Sequence, residues 1–258
     1  MNSRQEEIIE EKLIQQLDHH LNGLKEKINN DFNQEAFNIE INALKSDSLY
    51  KNFHLASKEY ALIRLMGRIS VSIGRRLGEI YDKIPRLIAQ YAFDIPEDRI
   101  APKMGGKLEL DICLPFDVIN QRNRQHINEV IKKYADNQYK NGVGIEIRYN
   151  FNPNDSSRLR KDVDMVKYLI DEKLTPIYMI YSSISPRDEA IARLKRAGWQ
   201  FVVGEAAFNF SKELFKIDIS KVFEKNSVNS EIKIKIKEIM ETLFLSYAFQ
   251  QIVNKYYN

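Results

Sequence analysis

The chain has a single cysteine, Cys113, and no intramolecular disulfide framework can be built from one. Cys113 falls within an apolar stretch, where the expectation is a small core residue in a reducing compartment, not a nucleophile. No apolar run approaches the ~20 residues that a membrane-spanning helix needs. The acidic first residues lack the apolar heart of a signal peptide. A cytoplasmic protein without a membrane partner is therefore expected. Internal repeats, low-complexity tracts and clear linkers are also lacking. Neither sign of charge prevails: 39 Lys and Arg against 36 Asp and Glu leave a net +3. Such a mild excess permits a nucleic-acid partner without arguing for one, so the clustering of the basic residues carries the question.

What is present is ordinary globular material, 43% hydrophobic and 29% charged over 258 residues, enough for one large domain or two small ones. Ile9, Leu13, Leu17, Leu21, Leu24 and Ile28 recur at three- and four-residue spacing, which predicts an amphipathic helix over 3–32. His19 and His20 on it diverge by about 100°, a poor metal pair expected to be solvated. Residues 32–55 read as short helices and loops. A long helical block follows over 57–92, capped by Ser57, interrupted by Gly67, Gly74 and Gly78, and kinked or broken at Pro85. Strands are expected at 107–114, 143–150, 177–181 and 199–203, with helices at 121–139, 157–173 and from Ser185-Pro186 to Gly198. Residues 206–226 are mixed. The tail 229–256 fits an amphipathic helix, although Ile232 to Ile236 also alternates like a strand. Strands alternating with helices predict an α/β sheet with helices on its faces. The chain reads as one domain over 1–258, with a helical N-terminal extension (1–56), a core (57–204) and a C-terminal extension (205–258).

The chemistry gathers between Gly105 and Asn150. On a strand, residues two apart share a face, so Glu109 pairs with Asp111 and Glu146 with Arg148. If the two strands are neighbours, three carboxylates and a guanidinium converge. Carboxylates collected in one place repel unless a cation holds them, and Mg²⁺ beside a scissile phosphate is one such arrangement. The alternative is a half-exposed sheet whose charges are paired as salt bridges. Periodicity leaves both readings open.

This pattern resembles the PD-(D/E)xK nucleases, the family of most type II restriction endonucleases, and among its named groups the resemblance points to the ApaLI-type enzymes. Asp111 stands where the family has its first acid, with Leu110 at the loosely kept Pro. Glu146-Ile147-Arg148 matches the (D/E)-x-K element with Arg for Lys, and Gly74 to Ile80 resembles the helix on which many members carry a further Glu, here Glu79. The resemblance covers about residues 68–204. It implies a restriction-endonuclease-like core, a mixed central sheet flanked by helices, with a helical N-terminal extension and a helical C-terminal tail. It implies Mg²⁺ held by Asp111, Glu146 and Glu79, with Glu109 assisting and Arg148 orienting water or stabilising charge. Two departures stand out: a whole helix separates the two acids, and a guanidinium is a poor general base. Lys107 and Lys161 are the candidates for the family's lysine role.

For DNA contact, the stretch after the second strand supplies Asn150, Asn152, Asn154, Ser156, Ser157, Arg158, Arg160 and Lys161, with Arg122 and Arg124 as weaker candidates. Taken alone, the same stretch is an ordinary capped loop with a solvated basic helix start. The expected function is Mg²⁺-dependent, site-specific cleavage of double-stranded DNA by a homodimer, within a restriction-modification system whose methyltransferase is a separate protein. The alternatives are a repair or junction-resolving nuclease of the same fold, and a DNA-binding module whose catalytic site has decayed.

Overall fold

The computed structural model describes residues 3–148, 156–183 and 188–257. The chain begins with α1 (Ser3–Asp31), α2 (Gln34–Ser46), α3 (Ser48–Asn52), α4 (Lys58–Phe93) and α5 (Glu97–Ile100). Then come β1 (Lys103–Met104), β2 (Leu108–Glu109), β3 (Ile112–Pro115), α6 (Gln121–Tyr134), β4 (Gly142–Arg148), α7 (Ser156–Asp171) and β5 (Leu174–Ile180). The last elements are α8 (Asp188–Ala197), β6 (Gln200–Val203), α9 (Glu205–Phe215), α10 (Ile219–Glu224), α11 (Asn226–Phe244) and α12 (Tyr247–Tyr257). The backbone groups into two compact units. One joins residues 1–11 to 78–225 and the other joins 12–77 to 226–258, so α1 and α4 each contribute to both.

The unit formed by 12–77 and 226–258 is helical. Its apolar stripe is the one the spacing predicts: Leu13, Leu17, Leu21, Leu24 and Ile28 are all buried. Glu40 of α2 is buried between Arg64 and Arg68, at 2.8 and 2.5 Å, two cations one helical turn apart on α4. Ser57 caps α4 by accepting the Tyr60 N–H at 3.2 Å. His20 corrects the expectation of a solvated pair. It is buried, accepts from Arg76 through Nδ1 at 3.3 Å and meets the exposed His19 edge to face. Residues 232–236 are helical within α11, which removes the strand alternative.

The other unit is α/β. Its sheet runs in the order β3-β4-β5-β6; β3 and β4 are antiparallel, while β4, β5 and β6 are parallel. Helices α7 and α9 pack on β5 and β6. Every residue of β3, β4 and β5 is buried, as expected of strands covered on both faces. Leu110, Cys113, Val166, Leu169, Tyr178, Leu194 and Trp199 share the core beneath α7 and α8. Burial pushes the Cys113 thiol up to about 12, in keeping with an inert core residue.

Two expectations change here. Pro85 lies inside α4, which continues to Phe93 without a break. The single strand over 107–114 is interrupted. Leu108–Glu109 pairs with β1, and only Ile112–Pro115 joins the main sheet. The cause is local. Gly105 and Gly106 take positive φ values of 54° and 72°, folding β1 back on β2. Leu110 is then fully buried, with its N–H bound to the Pro102 carbonyl at 3.1 Å.

Candidate active site

β4 carries two charged residues in a strand that is otherwise apolar or glycine. Glu146 and Arg148 are 6% and 8% exposed, so they are core residues and not surface charges. The parallel register sets Glu146 beside Tyr178 and Arg148 beside Ile180. On the antiparallel side, pairing ends at Ile112 opposite Ile145. Asp111, one residue before β3, accepts the Ile147 N–H through its carboxylate at 2.8 Å. That bond aims the side chain at the Arg148 end of β4.

Arg148 is the hub. It donates to Asp111 at 3.2 Å, to Asp162 of α7 at 3.2 Å, to the Ile147 carbonyl at 2.6 Å, and to Glu146. Its guanidinium lies 5.6 Å from the centre of the Tyr178 ring, within the range of a cation–π contact. The Tyr178 hydroxyl donates to Asp162 at 2.8 Å, and Trp199 donates to the Asp162 carbonyl at 2.7 Å. Trp199 meets Tyr178 edge to face, and Phe201 stacks on it. Aromatic packing thus fixes the ring that fixes Asp162.

The charges do not balance. Arg86 of α4 adds a second cation, donating to the Asp111 carbonyl at 2.8 Å and approaching its carboxylate at 3.6 Å. Burial and the neighbouring Asp111 push Asp82 up to about 7, although Arg148, Arg158 and Arg86 pull it down. Burial likewise lifts Glu146 to about 8, helped by Asp111 and Asp162 and opposed by Arg148. Burial works against the charge on Arg148, but Glu146, Tyr178, Asp111 and Asp162 outweigh it and hold its pKa well above the ordinary value. Burial also raises Tyr178. Asp82 Oδ1, Glu146 Oε2 and Arg148 Nε are buried with no hydrogen-bond partner among the described residues. Unmatched groups of this kind cost about 1–3 kcal/mol each.

A cavity of about 370 Å³ opens onto the hub. Glu146, Arg148, Asp162 and Met165 form its buried lining, and Lys107, Glu109, Arg158 and Lys161 its exposed lining. Glu109 is exposed and paired with Arg86 at 3.0 Å. It thus joins Asp111 through a shared arginine, and not through the shared strand face that the sequence suggests. Lys107 and Lys161, the two candidates for the family's lysine role, line the same cavity.

The remaining candidates divide. Glu79 is half-buried on α4 and does not line this cavity, whereas Asp82, three residues later, feels the hub's charges. Arg160 is exposed on α7 outside the lining. Arg122 is exposed at the start of α6, and Arg124 donates to the Ile119 carbonyl at 2.5 Å and lines a separate cavity with Arg99 and Lys103. Asn150, Asn152 and Asn154 fall outside the described residues, as do the side chains of Ser156 and Ser157. Asp162, Asp82, Arg86 and Tyr178 are the residues that sequence reasoning misses. Asp162 had a signal: it interrupts the apolar stripe of Leu159, Val166 and Leu169 on α7. Asp82 had only its place one turn beyond Glu79.

The carboxylate donor set suits a hard divalent ion, and the unpartnered Glu146 Oε2 is a free ligand atom for one. Yet among the described residues no three acidic, histidine or cysteine side chains stand as a ready metal-holding group, for the carboxylates are turned onto Arg148. No family model, curated protein sequence or solved structure matches the chain.

Proposed function

We propose that this protein is a Mg²⁺-dependent endonuclease that cuts double-stranded DNA at a specific short sequence, on a core of the restriction-endonuclease type. One observation carries the reading: a buried acid with a free oxygen, Glu146, sits at the end of a cavity whose exposed lining holds Lys107, Arg158 and Lys161. Buried acids beneath an exposed lining in which three cations face the single acid Glu109 suit a phosphodiester substrate, since phosphate needs positive contacts and its hydrolysis needs an activated water.

Asp111 and Glu146 are the residues that would hold the cation. The cation supplies Lewis-acid polarisation of the phosphate and a water nucleophile at neutral pH. Arg158 and Lys161, near the start of α7, bind the DNA backbone and set its register. Arg148 cannot take a proton from water, so its part is electrostatic. Lys107 or Lys161 is the amine available to the cavity for proton transfer. Two protomers facing a palindrome complete a double-strand cut.

A second reading is a DNA-binding module with a decayed site, favoured by the number of bonds that tie Arg148 down. A long defined DNA incubated with protein and Mg²⁺, followed by sequencing of the ends, separates these. Discrete fragments with a common end sequence support the restriction reading. A smear or a preference for branched substrate points to another nuclease of the fold. Specific binding with no cleavage in Mg²⁺ or Mn²⁺ leaves the module.

A further inference from the structure

Arg148 stands where a cation is called for. Its guanidinium is the common partner of Asp111, Glu146 and Asp162. Three carboxylates around one positive centre resemble the oxygen cage of a divalent ion with an arginine in its place. The cage is not closed as a purely structural ion pair would be, because Glu146 Oε2 and Arg148 Nε stay buried without partners. The cavity against Arg148 also offers room for its side chain, together with the exposed carboxylate of Glu109.

We propose that the Arg148 guanidinium occupies the cation position of this site in the resting protein. A divalent ion enters only as Arg148 leaves Asp111 and Glu146, keeping Asp162 as its anchor. Asp162 suits that part, because Tyr178 and Trp199 hold it from the core side independently of β4. The side chain is then a gate on metal loading: cation and guanidinium compete for the same two carboxylates. The proposal rests on the nuclease reading for the identity of the ion, and it adds a regulation of that site. It also accounts for an arginine at this position, since a guanidinium reaches three carboxylates at once where an ammonium offers a single point of charge.

The test is calorimetric titration of the metal-free full chain with Mn²⁺, without DNA, for wild type, Arg148→Met and Asp111→Asn. Arg148→Met is expected to bind Mn²⁺ at least ~10-fold more tightly than wild type, the span of one well-placed partner at a metal site; Asp111→Asn is expected to lose that binding. Equal or weaker binding by Arg148→Met overturns the gate. Removal of a buried cation can also prevent folding, so a second measurement uses wild type alone. The Arg148 Nε–H resonance, identified by its absence from Arg148→Lys, is followed during Mg²⁺ titration. A shift that tracks the binding curve supports the gate, and a resonance that stays put while Mg²⁺ binds overturns it. Cleavage assayed in parallel separates the two claims. Wild type that cuts while Arg148→Met binds no better refutes the gate and keeps the nuclease. Tighter binding by Arg148→Met with a wild type that never cuts refutes the nuclease and keeps the gate. No Mn²⁺ binding by either protein overturns the gate, and the cleavage assay then decides the nuclease reading by itself.

Discussion

Glu146 is a carboxyl at the centre of a sheet, and its surroundings decide whether it is charged. Its pKa is raised, from 4.5 to about 8, as is that of Asp82, from 3.8 to about 7. A carboxyl whose folded pKa lies above its unfolded value binds protons more readily in the native state. Its stabilising contribution is complete below the unfolded pKa and is lost as pH rises through the folded one. Metal-free protein is therefore expected to lose thermal stability between about pH 4 and pH 8, and Glu146→Gln to flatten that decline. Unfolding followed by circular dichroism in EDTA checks this; a melting temperature that climbs through the window, or an unchanged slope in the variant, contradicts it. For the reaction, Asp111→Asn and Glu146→Gln remove, at constant volume, the charge each carboxylate would bring to the cation. Each is expected to reduce single-turnover cleavage by more than ~100-fold, beyond the ~10–100-fold typical of a supporting partner, with the fold retained. A variant within about tenfold of wild type would take its residue out of the site.

At the scale of elements, α7 is built against its own dipole. Its first turns carry Arg158, Arg160 and Lys161, with no acid in the first turn, although a helix N-terminus favours negative charge by about 0.3–1 kcal/mol per group. Cations placed there despite that cost make sense as phosphate contacts. Neutralising all three is expected to weaken DNA binding. Each lost phosphate contact should lower the log–log salt slope by about 0.9. An unchanged slope would move the DNA elsewhere, with Arg122 and Arg124 the next residues to test. The entry to β4 is equally specific. Gly142 has a φ of 141°, and a Cβ there would stand 2.2 Å from the Leu114 carbonyl oxygen. Gly142→Ala is expected to destabilise by about 1–3 kcal/mol or more, read from denaturant unfolding, and to disturb the β3–β4 pairing that brings Asp111 to Glu146.

For the whole molecule, a net charge of +3 is too small to drive nucleic-acid binding by itself, so the proposed binding has to rest on local clusters. If the target is a palindrome, two chains should bind each duplex. Sedimentation of the chain with a duplex bearing the cut sequence, in Ca²⁺ to hold cleavage back, is expected to give two protomers per DNA. One protomer per duplex would favour a nicking or junction-type activity. None of the helices among the described residues is long and apolar enough to cross a membrane.

Much of the architecture was legible in the chain because burial imposes periodicity. The stripe of α1 and the apolar run of β5 are direct prints of which residues face the core, whereas the alternation in β4 marks a strand but no exposed side, since all of it is buried. That Asp111 meets Glu146 and Arg148 across neighbouring strands was foreshadowed by their spacing. Sequence could not tell that β2 and β3 are separate strands, since the turn through Gly105 and Gly106 pairs β2 with β1 and leaves the alternation of 107–114 intact. Nor could it choose between helix and strand for Ile232–Ile236, whose short run fits both periods until its packing partners are known. It could not bring Asp162 and Tyr178 to Arg148 either. They lie on α7 and β5, and only the parallel register beside β4, with α7 folded across it, makes them neighbours. The burial of that cluster is likewise a property of the assembled sheet. A charged residue on a strand reads as surface until covering elements exclude the water, and here they leave the Arg148 guanidinium as the counter-charge shared by Asp111, Glu146 and Asp162.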